Sequence, residues 1–303
     1  MDIIPSAPVR IFGLPFEGFN VAPLLNAWLV MGVLVLLSYL ACRSLSREPG
    51  RLQAAFELIT EFFENICDSS LGEEHGRKYM PFIATLFLFV FLCNVIGIIP
   101  NFLWWAGWPG FIAPTQDLNT PLGLAILVLF VVHISAIRIK GFGEWLWGFY
   151  EPSFPSEGRA AKTVGLLSFA GGAVLSWWFV SGYLDGWPEM AAGKRAGLGA
   201  LLALWLANFA AVTVLSFRTG RVPNAAMAPL NFVGEIGKAI SHPFRLFGNI
   251  FGGFVIVVVV SNLIRYIGLP PFLNAFFGLF IGLVHAFVFA MLALAYTAVQ
   301  IRD

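Results

Sequence analysis

Charge is what this chain has least of. Its 303 residues carry 18 Lys and Arg against 17 Asp and Glu, only 12% of the sequence. A soluble protein of this length would need far more to cover its surface. The net charge is +1, with neither a basic stripe nor a basic tail, which argues against nucleic acid as a partner. The three cysteines, Cys42, Cys67 and Cys93, have no metal-binding or disulfide spacing and read as small apolar packers, so no redox or zinc chemistry follows. No GxxxxGKS/T loop is present to cradle a nucleotide phosphate. Residues 1–20 lack the basic start and continuous apolar core of a cleaved leader, and three prolines interrupt them. They are expected to form a mature amino-terminal segment.

Apolar residues make up 58% of the chain, with 31 Phe and 10 Trp, the composition of an integral membrane protein. A first span is predicted over 21–42. Arg43, Arg47 and Arg51 follow it and place that end in the cytoplasm by the positive-inside bias. Over 51–70, Leu52, Phe56, Ile59, Phe63 and Ile66 recur at helical spacing while Glu57, Glu61 and Glu64 share another face. That pattern predicts an amphipathic helix lying at the interface rather than a span, with its carboxylates solvated rather than moving ions. An apolar run over 79–100, interrupted by Asn94, crosses outward to WWAGWPGF, an aromatic stretch without Lys or Arg. PTQDLNTPL then leads into a span over 122–137 that ends at Arg138 and Lys140, with His133 read as a packing residue.

The segment 141–222 holds two further apolar stretches, 164–183 and 198–217, separated by Asp185, Glu189, Lys194 and Arg195 and followed by Arg218 and Arg221. A hairpin out and back fits the lengths and charges and brings the crossings to seven. Gly171 and Gly172 leave a tilted or re-entrant course open. Its spans hold Asn208 and scattered Ser and Thr but no ionisable group, so packing against helices or lipid is the expected role.

The remaining segment, 223–303, carries the chemistry. Glu235 and Lys238 precede Ser241, His242 and Pro243, read as a helix start or kink. Arg245 follows in HPFRLFGNIFGG, inside a segment apolar enough to span. Estimates of the cost of an arginine at mid-bilayer run from roughly 3 to over 10 kcal/mol, so such a residue either snorkels to the headgroups or faces a water-filled path or an opposite charge. Asn249 lies one turn on. Gly252 and Gly253 are expected to admit a neighbouring backbone. After a turn over 265–271, a last span over 272–299 contains His285 and Tyr296.

RLFGN followed by small residues, then HAFVF and Tyr296, resembles the last two helices of subunit a of F-type ATP synthases. Pro49 and Gly50 with Gln53 and Glu57 resemble that family's short cytoplasmic second helix. The resemblance covers most of 21–140 and 223–303, with 141–222 as an inserted hydrophobic hairpin. It implies an all-α polytopic membrane protein of about seven spans plus one interfacial helix, its last two helices long, tilted and antiparallel against a rotor ring. It further implies a stator with two ion half-channels. Arg245 would lower the pKa of a carboxylate on each passing c subunit, releasing its ion and driving the rotation coupled to ATP synthesis. Asn249, His285 and Tyr296 would serve translocation, with Asn94, Asp117, Asn119 and Glu235 as half-channel candidates. For Asp117 and Asn119 an Asx turn or N-cap is an equally available role.

The chain would then be no enzyme by itself. It would bind no cofactor, and its partners would be a ring of c subunits, b-type peripheral stalk subunits, the rest of the synthase and lipid, in a bacterial inner membrane. The proton is the expected ion and sodium the alternative. The competing classes are a stand-alone secondary transporter or channel, against which the lack of a detectable repeat counts, and a structural membrane anchor. The chain departs from the family pattern in three places. About four residues are missing between Pro243 and Arg245. The carboxylate or histidine positions of many relatives fall on Phe254 and Gly278, which cannot carry a proton. A usual glutamine is His285, expected to replace the missing relay.

Overall fold

The computed structural model describes residues 9–11, 14–16, 21–43, 45, 48–100, 102, 110–150, 227–263 and 269–301, with isolated positions between 174 and 207. The two expected spans at 164–183 and 198–217 lie outside the described residues as continuous elements. The described chain is helical apart from one short antiparallel hairpin, β1 (Val9–Ile11) with β2 (Leu14–Phe16), in which Val9 faces Phe16. The helices are α1 (Val21–Cys42), α2 (Arg51–Leu71), α3 (Glu73–Val95), α4 (Asn119–Lys140), α5 (Phe142–Tyr150), α6 (Met227–Leu263) and α7 (Leu269–Ile301).

Among the described residues, five stretches are long and apolar enough to cross a membrane: Val21–Cys42, Glu73–Ile98, Asn119–Lys140, Asn231–Leu263 and Leu269–Ile301. Two compact units form, one from Met1–Ser135 and Ala239–Asp303, the other from Ala136–Lys238.

In the larger unit, α2 is amphipathic as its spacing predicts. Phe63, Cys67 and Leu71 are buried, Leu58 and Phe62 are exposed, and Gln53 donates to Glu57 Oε1 at 2.8 Å one turn on. Gly72, at φ +82°, ends α2 and donates its N–H to the Asp68 carbonyl. α3 begins at once with Glu73 and Glu74 in its first turn, where the helix dipole favours acid. It therefore starts six residues before the apolar run that announces it. At this corner a Cβ on Gly76 would strike the backbone and carboxylate of Asp68, so only glycine lets α2 and α3 meet so closely.

α3 is the centre of this unit, packing against α1, α2 and α7. Val30, Cys93 and Ile96 form a buried cluster with Leu29, Leu34, Phe89, Leu92 and Phe111 around it. The side chain of Asn26, fully buried in α1, donates to the carbonyls of Gly110 and Ile112, both at 2.9 Å, and ties down the segment before α4.

The last two helices depart from expectation at their starts. α6 runs unbroken from Met227 through Pro243, so Ser241 to Pro243 is not a helix start. Proline is tolerated inside a membrane helix where neighbouring groups resatisfy the freed backbone. Pro270 and Pro271 lie in the first turn of α7, where a missing N–H costs nothing. In the smaller unit, Asn231 donates to the Phe149 carbonyl at 2.9 Å, fastening the beginning of α6 to α5.

The cysteines give a check on this arrangement. Cys42 is exposed at the end of α1, whereas Cys67 and Cys93 are fully buried. Burial, with Asp68 beside it, pushes the Cys67 thiol up to about 11, leaving roughly 10⁻⁴ of it as thiolate at pH 7. A membrane-impermeant maleimide is expected to label Cys42 in inverted vesicles and to leave Cys67 and Cys93 unmodified until the protein is denatured. Labelling of Cys67 in the native protein would contradict the packing of α2 on α3.

Candidate functional site

Arg245 and Asn249 stand one turn apart on the exposed side of α6, about 6 Å along its axis. Phe244, Phe251, Phe254, Val255, Ile256 and Val259, all exposed, surround them. Toward α7, Arg245 lines a narrow cleft with His242, Leu246, His285, Val288, Phe289 and Leu292. Among the described residues no carboxylate lines it, and it holds no water-sized volume.

His242 is buried in this cleft. Its Nε2–H donates to the Phe289 carbonyl at 3.2 Å, its ring lies 3.9 Å from the Phe289 ring, and Tyr296 meets it edge-on at 5.6 Å. A carbonyl can only accept, so the proton sits on Nε2. The same logic places the proton of neutral His285 on Nδ1, which donates to the Ile281 carbonyl of its own helix at 2.7 Å. That leaves Nε2 of His285 as its acceptor.

A second cavity of about 20 Å³, room for about one water, lies nearer the 263 end of α6. It is lined by Asn94, Gly97, Ala113, Gln116, Asn249, Ile250, Phe254, Val257, Asn274, Phe277 and Gly278, with no ionisable side chain. Asn94 anchors it. Its Nδ2 donates to the Gly282 carbonyl at 2.9 Å and its Oδ1 accepts from Thr115 Oγ1 at 2.5 Å, joining α3, the 3-10 turn Pro114–Gln116 and α7. α7 passes this point in a π-helical turn, Phe276–Ile281. Such turns are rare and recur at functional sites. A Cβ on Gly278 would collide with Ile98, and one on Gly253 would come within 2.7 Å of the Phe277 ring. Gly253 thus makes room for a side chain, not for the neighbouring backbone expected from sequence, and Gly252 opens on nothing.

The expected site residues are accordingly divided. Arg245 and His285 share the cleft, and Tyr296 reaches it through His242. Asn94 and Asn249 share the polar cavity. Asp117 Oδ1 accepts from the backbone N–H of Asn119 at 3.0 Å and from its side-chain amide at 2.8 Å, the Asx turn that opens α4, and neither residue lines either cavity. Glu235 pairs with Lys238 at 2.7 Å within the smaller unit.

Sequence reading missed four contributors. His242 had a signal, being three residues before Arg245 and so on its face of the helix. Thr115, Gln116 and Asn274 had only their polarity in apolar surroundings to mark them.

The family model described as ATP synthase A chain matches residues 24–163 and 192–298. The chain belongs to this family. Among curated relatives, ATP synthase subunit a of Desulforamulus reducens is 24% identical over 290 residues, covering 93% of this chain and 80% of its own length. That of Moorella thermoacetica is 25% identical, covering 94% and 95%. ATP synthase subunit a, sodium ion specific, of Propionigenium modestum is 27% identical, covering 94% and 76%. As a family member, the chain is a non-catalytic, ion-translocating subunit of the membrane sector. Between the two matched stretches, residues 164–191 are unmatched and fall within the 141–222 segment.

His242→Leu is expected to remove the bond between α6 and α7 and to destabilise the solubilised protein by about 1–3 kcal/mol. His242→Gln, which keeps an N–H donor, should lose less. Equal melting temperatures for the wild type and His242→Leu would show that the bond contributes nothing.

Proposed function

We propose that this chain lies in a bacterial inner membrane beside a ring of c subunits, held by b-type stalk subunits, and that Arg245 converts ion flow into rotation of that ring. One observation carries the reading: a guanidinium sits on the exposed, mostly apolar side of a membrane-length helix, and among the described residues no carboxylate lines its cleft. A charge so placed calls for a counter-charge from outside the chain, and a rotor carboxylate arriving from lipid supplies it.

Opposite Arg245 the carboxylate is favoured as the anion, so its pKa falls and its ion leaves. It cannot return to hydrocarbon charged. It must first bind an ion from the other half-channel, which gives the rotation its direction. The fixed positive charge also bars an ion from passing straight between the half-channels. Each ion crossing 100 mV delivers about 2.3 kcal/mol. Arginine suits this role because it does not deprotonate at any working pH, whereas a desolvated lysine can.

We take the proton as the transported ion. His285 supports that choice, since its Nδ1–H is committed to the Ile281 carbonyl and its Nε2 is left as an acceptor in the Arg245 cleft.

Arg245→Ala is expected to leave the complex assembled but abolish ion-driven ATP synthesis, and Arg245→Lys should fail as well. Normal synthesis by inner-membrane vesicles carrying Arg245→Ala would refute the role. His285→Phe is expected to slow ATP-driven acidification at least tenfold in sodium-free buffer, with His285→Gln retaining part of it through hydrogen-bonded water. Acidification that requires added sodium in the wild type would assign sodium instead.

A further inference from the structure

Of the two histidines around Arg245, His242 is the one that the stator role leaves without a task. Along α6, His242, Leu246 and Ile250 are buried while Phe244, Arg245, Gly248 and Asn249 are exposed, so one stripe of the helix packs and the next stays open. At three residues of about 100° each, Arg245 lies about 60° round the axis from His242. A turn of α6 by that angle would put the arginine where His242 now sits.

The helix is weakened over this stretch. Pro243 has no N–H to give the Ala239 carbonyl, and Gly248, Gly252 and Gly253 follow within about three turns. Leu246 and Ile250 hold the packed stripe by apolar contact alone, which in a hydrocarbon medium gives little preference for one rotation over another. His242 adds direction. Its Nε2–H donates to the Phe289 carbonyl at 3.2 Å, and its ring meets Phe289 at 3.9 Å and Tyr296, edge-on, at 5.6 Å. Phe289 and Tyr296 stand seven residues apart on one side of α7, so a single imidazole engages that helix at two heights, about two turns apart.

We propose that His242 is a positioning residue for Arg245: its bond to the Phe289 carbonyl holds α6 in the rotation that keeps the guanidinium on the open side of the helix. The assignment rests on the stator role given to Arg245 above. His242 itself touches neither ion nor rotor. What the position requires is an N–H donor long enough to reach α7, because the carbonyl opposite can only accept. A hydrogen bond of this kind depends on angle as well as distance, so it resists rotation where apolar contact does not.

The test uses the intact purified complex in liposomes, with ATP-driven cation uptake as the readout and rotor subunits quantified in each preparation. His242→Leu is expected to assemble and to lower uptake at least tenfold. His242→Gln, which keeps an N–H donor, should retain at least a third of the wild-type rate. Leu294→Ala, which opens a cavity at a buried α7 residue outside the cleft lining, should keep at least half of it. Should His242→Leu fail to assemble, His242→Met, apolar and more pliable, decides with the same expected loss.

Wild-type uptake by the assembled His242→Leu or His242→Met complex would overturn the proposal. So would His242→Gln being as impaired as His242→Leu, or Leu294→Ala losing as much, since either would reduce His242 to a packing residue. Arg245→Ala in the same liposomes separates the two readings. If it retains coupled uptake, the stator role falls. If it is inactive while His242→Leu is normal, the positioning role alone falls.

Discussion

A guanidinium cannot shed its proton, and hydrocarbon cannot solvate its charge. At Arg245 that conflict falls on the exposed side of α6. Among the described residues, those lining its cleft include two histidines and no acid. The charge is not buried, since the side chain stays on the open side of α6 among exposed Phe and Val. An arginine paired inside its own chain would be a structural ion pair with no carboxylate left to find. With no acidic partner for it among the described residues, its charge favours an anion brought close to it in a medium of low polarity.

Holding such a charge at a fixed place needs helices that do not slide. In an apolar medium the burial of more apolar surface gives little help, and polar bonds between helices take over. Among the described residues of the larger unit, three buried side chains make such bonds. Asn26 fastens α1 to the segment before α4, Asn94 links α3 with Thr115 and Gly282, and His242 joins α6 to α7. Each is buried and each ends on at least one backbone carbonyl, an acceptor that mutation of the acceptor residue does not remove. The bonds are individually modest, worth about 0.5–1.5 kcal/mol net, yet breaking one strands a buried polar group and costs more than making it gains.

Much of this was legible in the sequence because local rules decide it. The spacing of Leu52, Phe56, Ile59 and Phe63 announced α2, Arg138 and Lys140 marked the end of α4, and Asp117 with Asn119 forms the turn that their chemistry suggests. Arg245 stood out because charge is so scarce around it. The misses share a different cause. Pro243 suggested a helix start or a kink, and the start is ruled out because α6 continues through it, its tertiary surroundings overriding a local breaker. Asn94, Gln116 and Asn274 come from three separate parts of the chain, and nothing in their local sequence says that they meet. Asp117 and Asn119 form the Asx turn that the sequence offered beside their half-channel reading, and their neighbour Gln116 lines the cavity.

The π-helical turn explains how α7 serves two sites that a uniform helix would phase differently. One extra residue in a turn rotates everything beyond it by roughly 100° relative to a regular α-helix. On one side of Phe276–Ile281, Asn274 reaches the polar cavity; on the other, His285 and Phe289 face Arg245 and His242. Small residues are required where the turn passes its neighbours, because Gly278 abuts Ile98 and Gly282 abuts Asn94. A carboxylate or histidine at position 278 is therefore excluded by space as well as by sequence. The absence of a titratable group there is a consequence of how closely α7 must approach α3 for Asn94 to reach the Gly282 carbonyl.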